Sequence, residues 1–254
     1  MEQIRFDFNN MFSLNIGKVH GVTQEELRKM SPAITRAFRH LDEVLNDPCA
    51  RVSLGLEWAQ LPFQSKEDIA QVQALGNQIA RGYSRVLFLG IGGSYLGLKA
   101  AQDALCAPYY NEFKQVRSGR PQVYFEGNNL DPDTLSVVLK QLDPKKTFVV
   151  VISKSGETTE TKAAFALVEQ WLKKHVGLRY GRQVVAITDP SSGTLRKKVD
   201  AQQANDPASF RNLPLLKGVG GRYSEFNMGL LHLAVVGVDI RELFQGAQVM
   251  AGRC

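Results

Sequence analysis

Residues 149–160 read Val149-Val150-Val151-Ile152-Ser153-Lys154-Ser155-Gly156-Glu157-Thr158-Thr159-Glu160. The first four residues are β-branched and apolar, which is typical of a strand buried on both faces of a parallel sheet. The next residues place hydroxyl groups, a lysine and a glycine in one turn, before a helical pattern begins. A helix N-terminus presents free backbone N–H groups and carries about half a positive charge from the helix dipole. The stretch therefore predicts an anion-binding turn between a strand and a helix.

The candidate anion ligands in this turn are the side chains of Ser153, Lys154, Ser155 and Thr158. A simpler alternative is that the Ser and Thr residues only cap the helix, as a strand-to-helix turn requires. A helix cap uses fewer side chains than the four that this turn offers. The sequence therefore favours the anion site. The turn does not match a Walker A loop, because that motif places its Lys directly after a Gly, whereas Lys154 precedes Gly156.

From residue 85 onward, strand patterns alternate with helix patterns. This alternation indicates βαβ units, and hence a parallel sheet that is covered by helices on both faces. Ligands of such sheets bind at the carboxyl ends of the strands. Predicted strands cover residues 85–89, 122–125, 147–152, 183–188 and, more weakly, 209–213, and predicted helices cover 94–106, 132–142 and 159–175.

The chain before residue 85 reads as helices and loops. Thr23 and Glu26 form a capping-box pattern that opens a helix. Ser31-Pro32 predicts the end of this helix and the start of a second one, because proline disrupts a helix interior but suits its first position. Ser65 is expected to cap a further helix. The second helix has one apolar face, which is expected to pack in a core. This face consists of Ile34, Phe38, Leu41 and Leu45.

A glycine-rich turn, Gly90-Ile91-Gly92-Gly93-Ser94-Tyr95, follows the first predicted strand. Glycines allow a ligand to approach the backbone closely, and Ser94 could both cap the next helix and bind a ligand oxygen. A dinucleotide-binding fingerprint fits poorly, because it requires a third glycine where this chain has Tyr95. A purely structural tight turn remains open as an alternative.

A third turn, Val219-Gly220-Gly221-Arg222-Tyr223-Ser224, leads into an apolar helical pattern. Arg222 carries a permanent charge and a rigid fork of donors, so it could bind a phosphate or a developing oxyanion. The alternative is an ion pair with a surface carboxylate, which is common for an exposed arginine. Glu160, on the helix after the first turn, is most simply a solvated residue or one that complements the helix dipole.

The composition of the 254 residues is that of an ordinary globular protein, and the net charge of +6 is scattered along the chain. The basic clusters lack interleaved aromatic residues, so no nucleic-acid partner is expected. Apolar runs are too short to span a bilayer, and residues 1–12 lack the apolar segment of a secretory signal. Cys49, Cys106 and Cys254 show neither disulfide nor metal-site spacing, which favours a reducing cytoplasm.

Three stretches, taken together and in this order, closely resemble the phosphoglucose isomerase family. They are Gly90-Ile91-Gly92-Gly93-Ser94, then Ser153 through Thr161, and Gly220-Gly221-Arg222-Tyr223-Ser224. The resemblance implies an α/β sugar isomerase (SIS) domain, a three-layer αβα sandwich around a five-stranded parallel sheet, with N-terminal helices. It also implies reversible isomerisation of glucose 6-phosphate and fructose 6-phosphate, with no metal or organic cofactor.

The resemblance also implies roles for individual residues. Three hydroxyl side chains and one lysine would bind the 6-phosphate, and two residues would line the sugar. One arginine would stabilise the cis-enediolate, since negative charge develops on oxygen as the proton leaves C2. The phosphate would be bound by Ser153, Ser155, Thr158 and Lys154. Gly93 and Ser94 would line the sugar, and Arg222 would stabilise the cis-enediolate.

Other catalytic groups of the family lie beyond the matched region: a Glu base, a His from the neighbouring subunit and a Lys near the C-terminus. His232 lies in the apolar run 228–238 and is expected to pack in the core. The chain is therefore interpreted as an N-terminal portion that binds the sugar phosphate with little or no turnover. The expected domains are a helical segment at 1–64, the SIS domain at 65–217 and a truncated second domain at 218–254.

The expected partners are the two hexose phosphates, and the resemblance implies a homodimer in the complete enzyme. A cytoplasmic enzyme of glycolysis and gluconeogenesis, without a membrane partner, is expected. The alternative is a non-catalytic SIS module that only binds a sugar phosphate, as in regulators with the same fold. Such a regulator has less reason to carry Gly221-Arg222, and the sequence shows no DNA-binding segment fused to the fold.

Overall fold

The computed structural model describes residues 7–253, apart from the side chain of Glu225. Residues 1–6, where part of the expected non-secretory N-terminus falls, and Cys254 lie outside the described residues. The chain divides into two compact units, one that ends at Leu54 and one that begins at Gly55. The three-part division at 1–64, 65–217 and 218–254 stays a prediction.

From residue 7 onward, the smaller unit contains the short 3-10 helix Asn9–Met11 and three α-helices: α1 (Ser13–Ile16), α2 (Gln24–Asn46) and α3 (Pro48–Leu54). The capping box that opens α2 is confirmed. The Glu26 backbone N–H donates to Thr23 Oγ1 at 3.2 Å, and the Thr23 backbone N–H donates to Glu26 Oε2 at 2.8 Å. Two backbone donors at the start of the helix are thus satisfied, as this motif requires.

The expected helix break at Ser31-Pro32 is wrong, because α2 continues through Pro32 for a total of 23 residues. Proline removes one backbone N–H and crowds the carbonyl one turn earlier, but the other hydrogen bonds of a long helix remain. Ser31 therefore does not begin a second helix. Its carbonyl instead accepts a hydrogen bond from Thr35 Oγ1 at 2.9 Å.

The expected packing of the apolar face of α2 is also wrong within the described chain. Ile34, Phe38 and Leu41 are 51%, 65% and 41% exposed. The periodicity of these residues identified one face of a helix correctly, but periodicity alone does not supply the surface that covers it. Within the part of the chain that the structure describes, this face is open except at Leu45, which is half-buried.

Replacing Pro32 with alanine is expected to stabilise the smaller unit by about 2 kcal/mol, because proline in a helix interior costs about 3 kcal/mol relative to alanine. The gain is smaller than this cost because proline also restricts the unfolded chain. Chemical unfolding followed by far-UV circular dichroism measures the change. Ala33→Ser, at the neighbouring helix position, is the control. A less stable Pro32→Ala variant would show that the proline is favourable in this helix.

The larger unit alternates helices and strands, as expected from the sequence. Each predicted strand and each predicted helix after residue 85 is confirmed, with ends that differ by at most two residues. The elements are α4 (Lys66–Gly82), β1 (Arg85–Leu89), α5 (Leu96–Leu105), β2 (Gln122–Glu126), α6 (Pro132–Gln141), β3 (Thr147–Ile152), α7 (Thr159–Val176), β4 (Val184–Thr188), α8 (Thr194–Asn205), β5 (Arg211–Pro214), α9 (Gly229–Val236) and α10 (Ile240–Ala251).

The five strands form one parallel sheet in the order β2-β1-β3-β4-β5. Helices cover both faces of the sheet. Buried residues of α4, α5 and α9 pack on one face, and those of α6, α7 and α8 pack on the other. This is the expected three-layer αβα sandwich. No helix among residues 7–253 is long and apolar enough to cross a membrane.

Candidate functional site

The strand order reverses between β1 and β3, and a ligand crevice is expected at this switch point. These two strands are neighbours, with Leu89 opposite Val151, but the helices that follow them, α5 and α7, lie on opposite faces of the sheet. The loops after β1 and β3 therefore leave the sheet in opposite directions. Open α/β sheets bind ligands at such a switch point, beyond the carboxyl ends of the strands. The two turns identified in the sequence, residues 90–95 and 153–158, thus flank this crevice.

The hydroxyl-rich turn, residues 153–158, is organised by its own serines. The Gly156 backbone N–H donates to Ser153 Oγ at 3.0 Å, and the Glu157 backbone N–H donates to Ser155 Oγ at 3.1 Å. Because each serine oxygen accepts a backbone N–H, the hydroxyl proton of each serine remains available as a donor. Ser153 is buried, whereas Ser155 and Lys154 are exposed. The turn therefore combines a fixed loop with donors that can reach a ligand.

Thr158 occupies the N-cap position of α7, but its side chain makes no capping hydrogen bond. The alternative in which the hydroxyls of this turn serve only as helix caps is therefore not realised at Thr158. Its hydroxyl lies at the N-terminus of an 18-residue helix. The dipole of that helix favours an anion at this position.

Close backbone packing fixes the shape of the turn. Gly156 has a φ of +78°, and a Cβ at this residue would lie 2.4 Å from the Leu195 backbone nitrogen. A Cβ at Gly193 would lie 2.4 Å from the Ser155 carbonyl oxygen. The Thr194 backbone N–H donates to that same oxygen at 2.7 Å. The start of α8 therefore holds the turn in place.

Residues 189–194, which follow β4, pack against the turn 153–158 and were not identified from the sequence. The Asp189 carboxylate accepts hydrogen bonds from the backbone N–H groups of Ser191 and Ser192, and these bonds help to lower the pKa of Asp189 to about 2. The Asp189 backbone N–H donates to the Lys154 carbonyl at 3.1 Å. The sequence signal is an Asp followed by Ser and Gly at the carboxyl end of a strand, a pattern of side-chain-to-backbone turns.

The glycine-rich turn after β1 contacts the third turn of the sequence. A Cβ at Gly93 would lie 2.3 Å from the Cα of Gly221, and a Cβ at Gly221 would lie 2.7 Å from the Cα of Gly93. The two backbones therefore touch, and only glycine fits at either position. This contact places Arg222, the next residue of the chain, beside the turn that carries Ser94.

Ser94 does not cap α5, so that expectation is wrong. Gly92–Ser94 form a 3-10 turn, and Tyr95 occupies the N-cap position without a side-chain hydrogen bond. The hydroxyl of Ser94 is therefore not used for capping. The residue is half-buried beside the crevice.

Arg222 is exposed and lies in the 3-10 turn Gly221–Phe226. Among the carboxylates that the structure describes, none forms an ion pair with Arg222. The alternative of a surface ion pair is therefore not realised within this part of the chain. The guanidinium remains available to an anionic ligand.

His232 lies inside α9 and packs in the core, as expected. It is fully buried, its Nε2 lies 2.8 Å from Gln102 Oε1, and its ring contacts those of Phe88 and Phe125 edge-on. Burial lowers the pKa of His232 to about 3. The side chain is neutral at physiological pH and is shielded from the crevice.

Comparisons with known proteins identify the family of this chain. The family model described as phosphoglucose isomerase matches residues 66–253. Glucose-6-phosphate isomerase of Carboxydothermus hydrogenoformans is 34% identical over 99% of this chain and 51% of its own length. Glucose-6-phosphate isomerase of Pediococcus pentosaceus is 33% identical over 98% of this chain and 52% of its own length.

Two solved structures are similar. A hypothetical protein from Thermus thermophilus matches with a TM-score of 0.74 and 31% identity, over 90% of this chain and 49% of its own. A glucose-6-phosphate isomerase from Chlamydia trachomatis matches with a TM-score of 0.59 and 25% identity, over 78% of this chain and 38% of its own. This chain spans about half the length of the curated relatives that it matches. Because the family model covers most of the chain, the protein belongs to the phosphoglucose isomerase family.

Proposed function

We propose that this chain provides the sugar-phosphate-binding part of a glucose-6-phosphate isomerase, which interconverts glucose 6-phosphate and fructose 6-phosphate through a cis-enediolate. The observation that carries the proposal is the meeting of three turns at the switch point of the sheet. Residues 90–95 and 153–158 flank the crevice, and the contact between Gly93 and Gly221 brings Arg222 to it. The complete enzyme is a cytoplasmic homodimer in this proposal.

The 6-phosphate would bind at the turn 153–158. The hydroxyls of Ser153, Ser155 and Thr158 donate to phosphate oxygens, and the N-terminus of α7 adds backbone donors and a favourable dipole. Lys154 is exposed and adds a positive charge. Such charge-assisted hydrogen bonds are stronger than those between neutral groups, so a phosphate monoester fits this turn better than an uncharged ligand does.

The sugar would extend from the phosphate toward Gly93 and Ser94. The absence of a side chain at Gly93 allows the sugar to approach the backbone, and the hydroxyl of Ser94 can bind a sugar oxygen. Arg222 would then face the C1 and C2 oxygens. Its guanidinium stabilises the cis-enediolate more than the substrate, because the negative charge develops on oxygen only as the proton leaves C2.

The assigned residues bind substrate and stabilise charge, but none of them is a general base for the C2 proton. Proton transfer requires a base within hydrogen-bond reach. We therefore expect the purified chain to bind hexose phosphates with little turnover. A coupled assay of fructose 6-phosphate conversion tests this, and substantial turnover would show that a base within this chain has been missed.

Binding without turnover also fits a non-catalytic module. The affinity of such a module for any sugar phosphate would not depend on Arg222.

Replacing Ser155 with alanine is expected to weaken binding of glucose 6-phosphate by about 10- to 100-fold, because a hydrogen bond to a charged group contributes about 1.5–3 kcal/mol. Calorimetric titration measures the affinity. Inorganic phosphate should lose affinity by a similar factor, since Ser155 acts on the phosphate. Ser53→Ala, an exposed serine in the smaller unit, is the matched control. Equal affinities for wild type and Ser155→Ala would refute the phosphate assignment.

A further inference from the structure

The turn that carries Arg222 packs against a segment outside the three motifs. This segment comprises residues 57–64, which we call the clamp segment, and it consists mainly of the 3-10 helix Glu57–Phe63. The ring of Trp58 stacks on the ring of Tyr223, with centroids 5.1 Å apart and planes inclined by 13°. Both residues are 38% exposed, so the stack lies at the surface of the larger unit.

Hydrogen bonds tie the clamp segment to both ends of the Arg222 turn. The Glu57 backbone N–H donates to the Gly218 carbonyl at 3.3 Å, ahead of the turn. Gln64 Nε2 donates to the Phe226 carbonyl at 2.6 Å, at the end of the turn, and to the Leu61 carbonyl at 3.1 Å. Leu61 is buried and anchors the clamp segment itself.

External contacts matter here because one buried polar group of the turn and one directly after it lack a hydrogen-bond partner in the part of the chain that the structure describes. Ser224 Oγ and Asn227 Nδ2 are buried without a hydrogen-bond partner among the described residues. The backbone of Tyr223 departs from helical geometry, with φ −112° and ψ 29°. An unpaired buried polar group costs about 1–3 kcal/mol, so contacts from outside have to offset this cost.

Arg222 is therefore fixed through both of its neighbours in the chain. Gly221 on one side is held against Gly93, and Tyr223 on the other side is held against Trp58. The arginine side chain is long and flexible, but the position of its Cα and the direction of its Cα–Cβ bond are set by these two contacts. Misplacement of a charged group by about 1 Å can cost about 100-fold in rate.

We propose that Trp58 is a positioning residue for Arg222: its stack on Tyr223 fixes the direction from which the guanidinium approaches the enediolate oxygens. This inference rests on the proposed function and adds to it a residue that lies outside the crevice. Trp58 acts only through the turn, so its loss should affect ligands that engage Arg222 and spare ligands that engage only the phosphate turn.

A five-carbon aldonate 5-phosphate is a suitable probe, because its planar carboxylate carries negative charge where the enediolate would. Trp58→Ala is expected to weaken binding of this probe about tenfold, with little change for inorganic phosphate. Trp58→Phe keeps an aromatic ring for the stack and should retain most of the affinity. Far-UV circular dichroism verifies that each variant is folded before calorimetric titration.

A double-mutant cycle with Arg222→Ala separates positioning from general destabilisation. If Trp58 acts through Arg222, Trp58→Ala has no further effect on probe affinity once Arg222 is absent. An equal loss in both backgrounds, or an equal loss for the probe and for inorganic phosphate, would overturn the inference. If wild type binds no sugar phosphate at all, the proposed function is overturned. If wild type binds the probe and Trp58→Ala binds it equally well, only the role of Trp58 is overturned.

Fluorescence supplies a second readout, because the chain has two tryptophans, Trp58 and Trp171. In a Trp171→Phe background the emission reports the Trp58–Tyr223 stack alone. The aldonate phosphate should change this emission at saturation, because Arg222 is joined directly to Tyr223. Inorganic phosphate should leave it unchanged. Identical emission with and without the saturating probe would contradict coupling between the stack and the ligand.

Discussion

Gly221→Ala is expected to weaken binding of sugar phosphates by about 100-fold, through loss of the contacts of Ser94 and Arg222, and to lower the free energy of unfolding by about 1–3 kcal/mol, the usual cost of overpacking. The new Cβ would lie 2.7 Å from the Cα of Gly93. The Cα of Gly93 is a backbone atom and the new Cβ is bonded directly to the backbone of residue 221, so no flexible side chain can move aside. The turns that carry Ser94 and Arg222 would have to separate, and the guanidinium would leave the crevice.

Gly220→Ala is a matched control in the same motif. A Cβ at Gly220 has no neighbour within 4 Å, and its φ of −80° suits any L-residue. This variant should bind glucose 6-phosphate like wild type and unfold at the same urea concentration or slightly higher, since alanine restricts the unfolded chain. Gly93→Ala, where the contact would be 2.3 Å, should behave like Gly221→Ala. Similar binding by the Gly221 and Gly220 variants would refute the close contact as a requirement for the site.

The sheet and the turns at the ends of its strands were predictable because their signals are local. The apolar run 147–152 and the Ser65 cap of α4 depend on neighbouring residues, and both are confirmed. The contact between Gly93 and Gly221 was not predictable from residue physics alone. It joins two backbones that are far apart in sequence, and glycine leaves no side-chain pattern that would indicate its partner.

The errors at the start of the chain have a different physical origin. The prediction that Pro32 ends a helix considers only the local effect of one proline. In the protein, α2 is stabilised cooperatively along its whole length. The stack of Trp58 on Tyr223 was missed because neither residue belongs to a periodic pattern. Asp189 was missed because its carboxylate binds backbone groups, which any sequence offers.

Acidification from pH 7.5 to pH 5 is expected to lower the free energy of unfolding by about 2 kcal/mol through His232 alone. Burial lowers the pKa of His232 from 6.5 to about 3 in the folded protein. Its Nε2–H donates to the Gln102 amide oxygen, and its Nδ1 has no partner among the described residues, so a second proton would be both buried and unpaired. The unfolded chain takes up that proton near pH 6.5, whereas the folded protein resists it until about pH 3. The contribution of neutral His232 to the free energy of unfolding is therefore fully present above pH 6.5. It decreases as the pH falls below that value.

Urea unfolding at several pH values between 7.5 and 5 measures how the free energy of unfolding changes with pH. His232→Phe should remove most of this pH dependence. The variant is also less stable at pH 7.5, by about 1–3 kcal/mol, because the Gln102 oxygen loses its donor. The change in free energy of unfolding with pH, not the absolute stability, is therefore the relevant quantity.

Asp189 and Glu169 have lowered pKa values and lose their charge only at lower pH, so they contribute little in this range. The pKa of Glu126 is raised by burial, and this opposes the loss slightly. His175→Phe, a change at an exposed histidine of α7, is the control. A wild-type slope that persists in His232→Phe would assign the acid sensitivity to other groups.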